Sequence, residues 1–135
     1  MSGAELEVLR ERIFTALAQG DERAAKKGLK QLHRFLPAEA AGLLTALHIE
    51  AGRTQEALTA WQECARLTPR DPYTVFLRAR IHLMAKERCA ALALLTPLLD
   101  TKMPPAIAEK VYNLAGQCAR FLGRAQEAVQ FYERA

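Results

Sequence analysis

Apolar residues recur along this chain at spacings of three and four, and the runs they form are broken at regular distances by glycine, lysine or proline. Leu9, Ile13, Ala16 and Leu17 make one i, i+4, i+7, i+8 stripe. Val75, Ala79, His82 and Leu83 repeat it, while Ala41, Leu44, Thr45 and His48, and Tyr112, Ala115, Gly116 and Ala119, make two further stripes at i, i+3, i+4, i+7. A period near 3.6 residues is that of a helix with one buried face. With the glycine, lysine and proline breaks as ends, the spacing predicts helices over 5–18, 22–35, 38–51, 54–67, 72–85, 88–99, 105–121 and 125–135.

A longer period lies over the short one. Between Gly52 and Pro69 the chain reads GRTQEALTAWQECARLTP. The same framing starts again at Gly20, Lys86 and Gly123. From each start the fifth residue on is alanine (Ala25, Ala57, Ala91, Ala128), and the ninth is large and apolar (Leu29, Trp61, Leu95, Tyr132). The twelfth is apolar or small (Leu32, Cys64, Leu98, Ala135). Proline follows at Pro37 and Pro69, and one residue late at Pro104. The predicted structure is therefore all-α: four units of two antiparallel helices, at about 5–37, 38–71, 72–105 and 106–135. In each unit the glycine closes the turn between the helices, since it is free to take positive φ. The alanine lets the two backbones approach, and the proline stops the second helix.

This arrangement resembles the tetratricopeptide repeat family, whose pattern is W-x2-L-G-x2-Y, then A-x3-F, then P, over 34 residues. The last unit carries it through Tyr112, Ala115, Gly116, Gly123, Ala128 and Tyr132, and the second through Leu44, Gly52, Ala57, Trp61 and Pro69. The third departs most, with Lys86 in place of the turn glycine and Leu95 in place of the aromatic. In the first, Arg12 stands where leucine is usual. The resemblance spans the whole chain and implies a right-handed α-solenoid. In that family the first helices of the pairs line a concave groove that takes an extended peptide. Here it implies a groove of Arg10, Phe14, Ala46, Ile49, Tyr73, Phe76, Arg80, Leu83, Lys110, Asn113, Gln117 and Arg120, apolar in the middle and basic at one end. Phe76 and Leu83 are also candidates for packing. The two-lysine, two-asparagine clamp that some relatives use for C-terminal carboxylates is present only as the fragment Lys110 and Asn113.

Composition narrows the remaining choices. Half of the residues are hydrophobic, and Gly and Pro are punctuation rather than tracts. The net charge of +4 permits an acidic partner without requiring one. Cys64, Cys89 and Cys118 are an odd number with no C-x-x-C pair, the usage of a reducing, cytoplasmic compartment. No apolar run approaches the roughly 20 residues that span a bilayer, and the first residues carry no apolar h-region of a secretory signal.

No nucleophile–base arrangement, phosphate loop or metal motif is present, so no catalytic residue, cofactor or metal is expected. His48 and His82, 34 residues apart in equivalent places, read as packing residues where the family usually has tyrosine. The basic stripe Arg23, Lys26, Lys27, Lys30 and Arg34 has no interleaved aromatics and reads as a solvated face rather than a nucleic-acid surface.

The expected function is a non-catalytic scaffold that binds a protein or peptide. The alternative is the N-terminal substrate-positioning or dimerisation region of a larger enzyme, as in arrays that precede bacterial glycosyltransferase or sulfotransferase domains. Because the last unit lacks its closing proline, Val129, Tyr132 and Ala135 are expected to lie uncovered. That predicts a fragment of a longer protein, or self-association through the last helix.

Overall fold

The computed structural model describes residues 1–135 and contains eight α-helices and no strand. They are α1 (Gly3–Ala18), α2 (Glu22–His33), α3 (Pro37–Glu50), α4 (Thr54–Leu67), α5 (Pro72–Met84), α6 (Arg88–Leu95), α7 (Pro105–Phe121) and α8 (Ala125–Arg134). The helix expected over 88–99 is shorter than its pattern: α6 stops at Leu95 and a 3₁₀ turn covers Thr96–Leu98. Pro97 is the cause, because it has no N–H to donate and its ring collides with the preceding turn. No helix is long and apolar enough to cross a membrane.

The helix starts follow from local chemistry. Ser2 caps α1 by accepting from the Glu5 N–H at 3.2 Å while its hydroxyl donates to the Glu5 carboxylate. Asp21 accepts from the Ala24 N–H at 3.1 Å and Asp71 from the Tyr73 N–H at 3.0 Å. Pro37, Pro72 and Pro105 occupy first helical positions, where no N–H is needed.

The turns inside the four pairs share one geometry. Gly20, Gly52 and Gly123 have φ of 71°, 74° and 76°, and Lys86 has φ of 63°. After each, an N–H reaches back five residues: Asp21 to Ala16 (2.8 Å), Arg53 to His48 (2.9 Å), Glu87 to His82 (2.9 Å) and Arg124 to Ala119 (2.8 Å). This six-to-one bond is the Schellman closure of a helix. Lys86 thus holds a left-handed conformation that a side chain disfavours by about 1 kcal/mol. Lys86→Gly is expected to raise stability by about that amount, and Gly52→Ala to lower it by a similar one, read from denaturant midpoints. A Lys86→Gly variant less stable than the parent would contradict the shared turn.

The chain divides into two compact units, Met1–Thr68 and Pro69–Ala135. In the first, α1 packs on α2, α2 on α3 and α3 on α4. Its core is Leu9, Ile13, Leu29, Leu32 and Ala40, with Leu6, Leu17, Leu36, Leu43 and Leu44 packed against it. In the second, α5 packs on α6, α6 on α7, α7 on α8, and α5 also on α7. Leu77, Ile81, Leu95, Val111, Leu114 and Cys118 are buried there. The stripe expected on α5 is partly out of register. Ala79 is buried, but Val75, His82 and Leu83 are only half-buried, while Thr74, Leu77 and Ile81 carry the buried face. The sequence of α5, PYTVFLRARIHLM, is apolar on more than one side, so several stripes fit its period. The four repeat alanines are all buried, three of them with no exposed surface.

Candidate functional site

In the first unit, the residues expected to line a groove fall into four environments. Arg10 is a strap. Its guanidinium grips the Glu39 carboxylate of α3 through Nε at 2.9 Å and Nη2 at 3.0 Å, and it also pairs with Glu7. That bidentate geometry fixes α1 against α3. Phe14 projects from α1 and is 50% exposed. Ala46 lies in a cleft of about 310 Å³ between the ends of α1 and α3, with Leu17, Gly20, Glu22, Leu47, Glu50 and Ala51. Ile49 is buried and offers little surface to a ligand. Leu47 is a cleft residue that the sequence pattern did not single out, and Leu17 was read only as part of the first buried stripe. The i, i+4, i+7 series Leu43, Leu47 and Glu50 was the available signal.

In the second unit, Tyr73 and Phe76 stack with ring centroids 5.9 Å apart. Phe76 is buried, so of the two expected packing candidates it is the one turned inward. Tyr73, Arg80, Leu83 and Gln117 are half-buried, and Lys110, Asn113 and Arg120 are exposed. The Arg120 guanidinium lies 5.3 Å from the centre of the Phe121 ring. Tyr112 donates its hydroxyl to the Leu99 carbonyl, and Arg134 of α8 lies 4.7 Å over the Tyr112 ring. The first contact ties α7 to the residue after the 3₁₀ turn, and the second ties α8 to α7. Val129 and Tyr132 of α8 remain exposed.

The five cations of the basic stripe are all exposed, and Lys26 pairs with Glu22 at 3.0 Å. Lys26 and Lys30 edge a second cleft of about 340 Å³, floored by Leu29, Ala40, Ala41 and Leu44, and the His33–Glu63 pair at 2.8 Å also lies on its wall.

The histidines serve the turns. His48 accepts from Arg53 Nε at 3.0 Å, and His82 lies 3.2 Å from the Glu87 carboxylate, so each ring reaches the residue five on that opens the next helix. No three metal-ligating side chains converge on either. Arg53 also pairs with Glu22, and with Lys26 it holds that carboxyl below the usual range. Burial, then the charge of Arg53, holds the His48 pKa below its ordinary value.

The sign of that shift sets a pH dependence. The fold favours neutral His48, so its contribution is complete above the unfolded pKa of about 6.5 and is lost as pH falls below it. Stability in urea is expected to fall between about pH 7 and about pH 5, and His48→Gln should flatten that slope. Equal slopes in the two proteins would show that His48 is not the titrating group.

Cys64 and Cys118 are buried, Cys118 with its thiol pKa pushed up by burial, and Cys89 is exposed. A scan against protein-family models finds no match for this chain, and no curated protein is significantly similar to it.

Proposed function

We propose that the chain is a tetratricopeptide-like solenoid that binds a segment of another protein on the faces of its first helices and performs no chemistry of its own. The observation that supports this best is the cleft between α1 and α3. Its lining joins Leu17, Ala46 and Leu47, and the exposed Phe14 sits one turn before Leu17 on the same side of α1. An exposed aromatic beside a small apolar cleft suits one apolar anchor of a bound segment, and a few such anchors carry most of the affinity in protein recognition. Ala46 keeps the cleft open because it has only a methyl group. The Arg10–Glu39 strap holds the two walls in fixed relation, which limits the ordering cost of binding. Three free thiols fit a reducing, cytoplasmic setting.

The test is a display selection for peptides that bind the folded chain, followed by measurement against Ala46→Arg. Ala46 is half-exposed, so the variant should keep its helicity and bind the selected peptides roughly tenfold more weakly or worse. Peptides that bind parent and variant equally would place the site elsewhere.

A further inference from the structure

Where α7 ends beside the start of α6, the second unit carries a charge cluster that the packing of the helices does not use. Phe121, the last residue of α7, is 42% exposed. Two guanidiniums lie over its ring, Arg88 at 5.0 Å and Arg120 at 5.3 Å from the centroid. Both arginines are exposed, and neither pairs with a carboxylate. Glu87, the acid next to Arg88 in the chain, is turned to His82 instead. Cys89 and Leu122, the chain neighbours of Arg88 and Phe121, line a cleft of about 170 Å³ together with Leu92, Ala93, Thr96 and Arg124. The nearest carboxylate to Arg124 is that of Glu127, at 4.0 Å.

An arginine stacked on an aromatic face keeps its edge N–H groups free, and those form the fork that matches phosphate oxygens. Two such forks on one ring concentrate positive charge at a fixed place. The ring itself is occupied, so it is not open for a nucleobase to stack on, which disfavours nucleic acid as the ligand. The cleft is smaller than the roughly 300–1,000 Å³ of ordinary small-molecule sites. A single side chain fills such a space, and Leu92 and Leu122 give it apolar walls.

We propose that this corner binds a phosphorylated side chain of a partner protein, with Arg88 and Arg120 holding the phosphate and the cleft holding the side chain that bears it. It involves neither α1 nor α3, so this site and the cleft beside Ala46 stand or fall separately.

Cys89 supplies the readout, because it lines the cleft and is the exposed cysteine, while Cys64 and Cys118 are buried. Alkylation by neutral iodoacetamide is followed by mass at fixed pH, with phenyl phosphate as the probe. Phenyl phosphate is expected to slow the reaction saturably, inorganic phosphate less, and sodium chloride at matched ionic strength not at all. Arg88→Lys with Arg120→Lys keeps both charges but loses the forks, and should weaken protection roughly tenfold or more. Lys27→Gln, in the other unit, should leave it unchanged. Helicity by circular dichroism checks that both variants fold. Undiminished protection in the double lysine variant would overturn the proposal. So would equal protection by chloride or by inorganic phosphate, stronger protection by an oligothymidylate, or no protection by phenyl phosphate.

Discussion

Replacing Ala57 with leucine is expected to destabilise the folded chain by about 1–3 kcal/mol. Ala57 has no exposed surface and lies in α4, the helix that packs on α3 within the same pair. Leucine is nearly as good a helix former as alanine, so the substitution leaves propensity almost untouched and reports on packing alone. Three added carbons must enter a close-packed contact, and the two backbones must separate to admit them. Ala91 is equally buried in α6, and Ala91→Leu should behave in the same way. Gln55→Leu, at an exposed position two residues away, is the control and should change stability little. An unaltered unfolding midpoint for Ala57→Leu would mean that the pair is held together by other contacts.

The second large effect is expected at Gly28. A Cβ there would lie 2.6 Å from Cγ1 of Ile13, a side chain with no exposed surface. In an open helix, Gly→Ala gains up to about 1 kcal/mol. Here the overpacking should exceed that gain, and Gly28→Ala should be net destabilising. In an Ile13→Ala background the obstacle is gone, and the same change should become favourable, giving a coupling of about 1–3 kcal/mol between the two sites. Additive effects would contradict the contact.

The wider pattern supports this pairing. Where the first pair has Ile13 and Gly28, the others have Thr45 with Ala60, Ala79 with Leu94, and Gly116 with Phe131. Bulk lost at the first position of each couple accompanies bulk gained at the second. Gly116 is tight as well, but against the residue after Phe131: its Cβ position lies 2.8 Å from the Tyr132 ring. Tyr132 is 40% exposed and can swing aside, so Gly116→Ala should cost less than Gly28→Ala.

The helix pairs were legible because their signals are local. Glycine at positive φ, alanine at the contact and proline after it act within a few residues of where they stand. Lys86 shows that the turn geometry survives where its usual residue is missing, held by the same backbone bond from Glu87 to His82. The candidate site was less legible because exposure depends on neighbours distant in sequence. Ile49 and Phe76 occupy positions expected to face a groove, yet both are buried. Arg10 was expected to face a ligand, and its bidentate partner is Glu39, 29 residues away. The link from Glu22 to Arg53 could not be read from spacing, since α2 must pack against the α3–α4 turn before those side chains meet.

The most direct test of the binding proposal is a backbone amide NMR titration of the labelled chain with a display-selected peptide. Binding on the first-helix face predicts shift changes concentrated at Phe14, Leu17, Ala46, Leu47 and Glu50, and their loss in Ala46→Arg. Changes confined to α2 and α4, or none along α1 and α3, would contradict it.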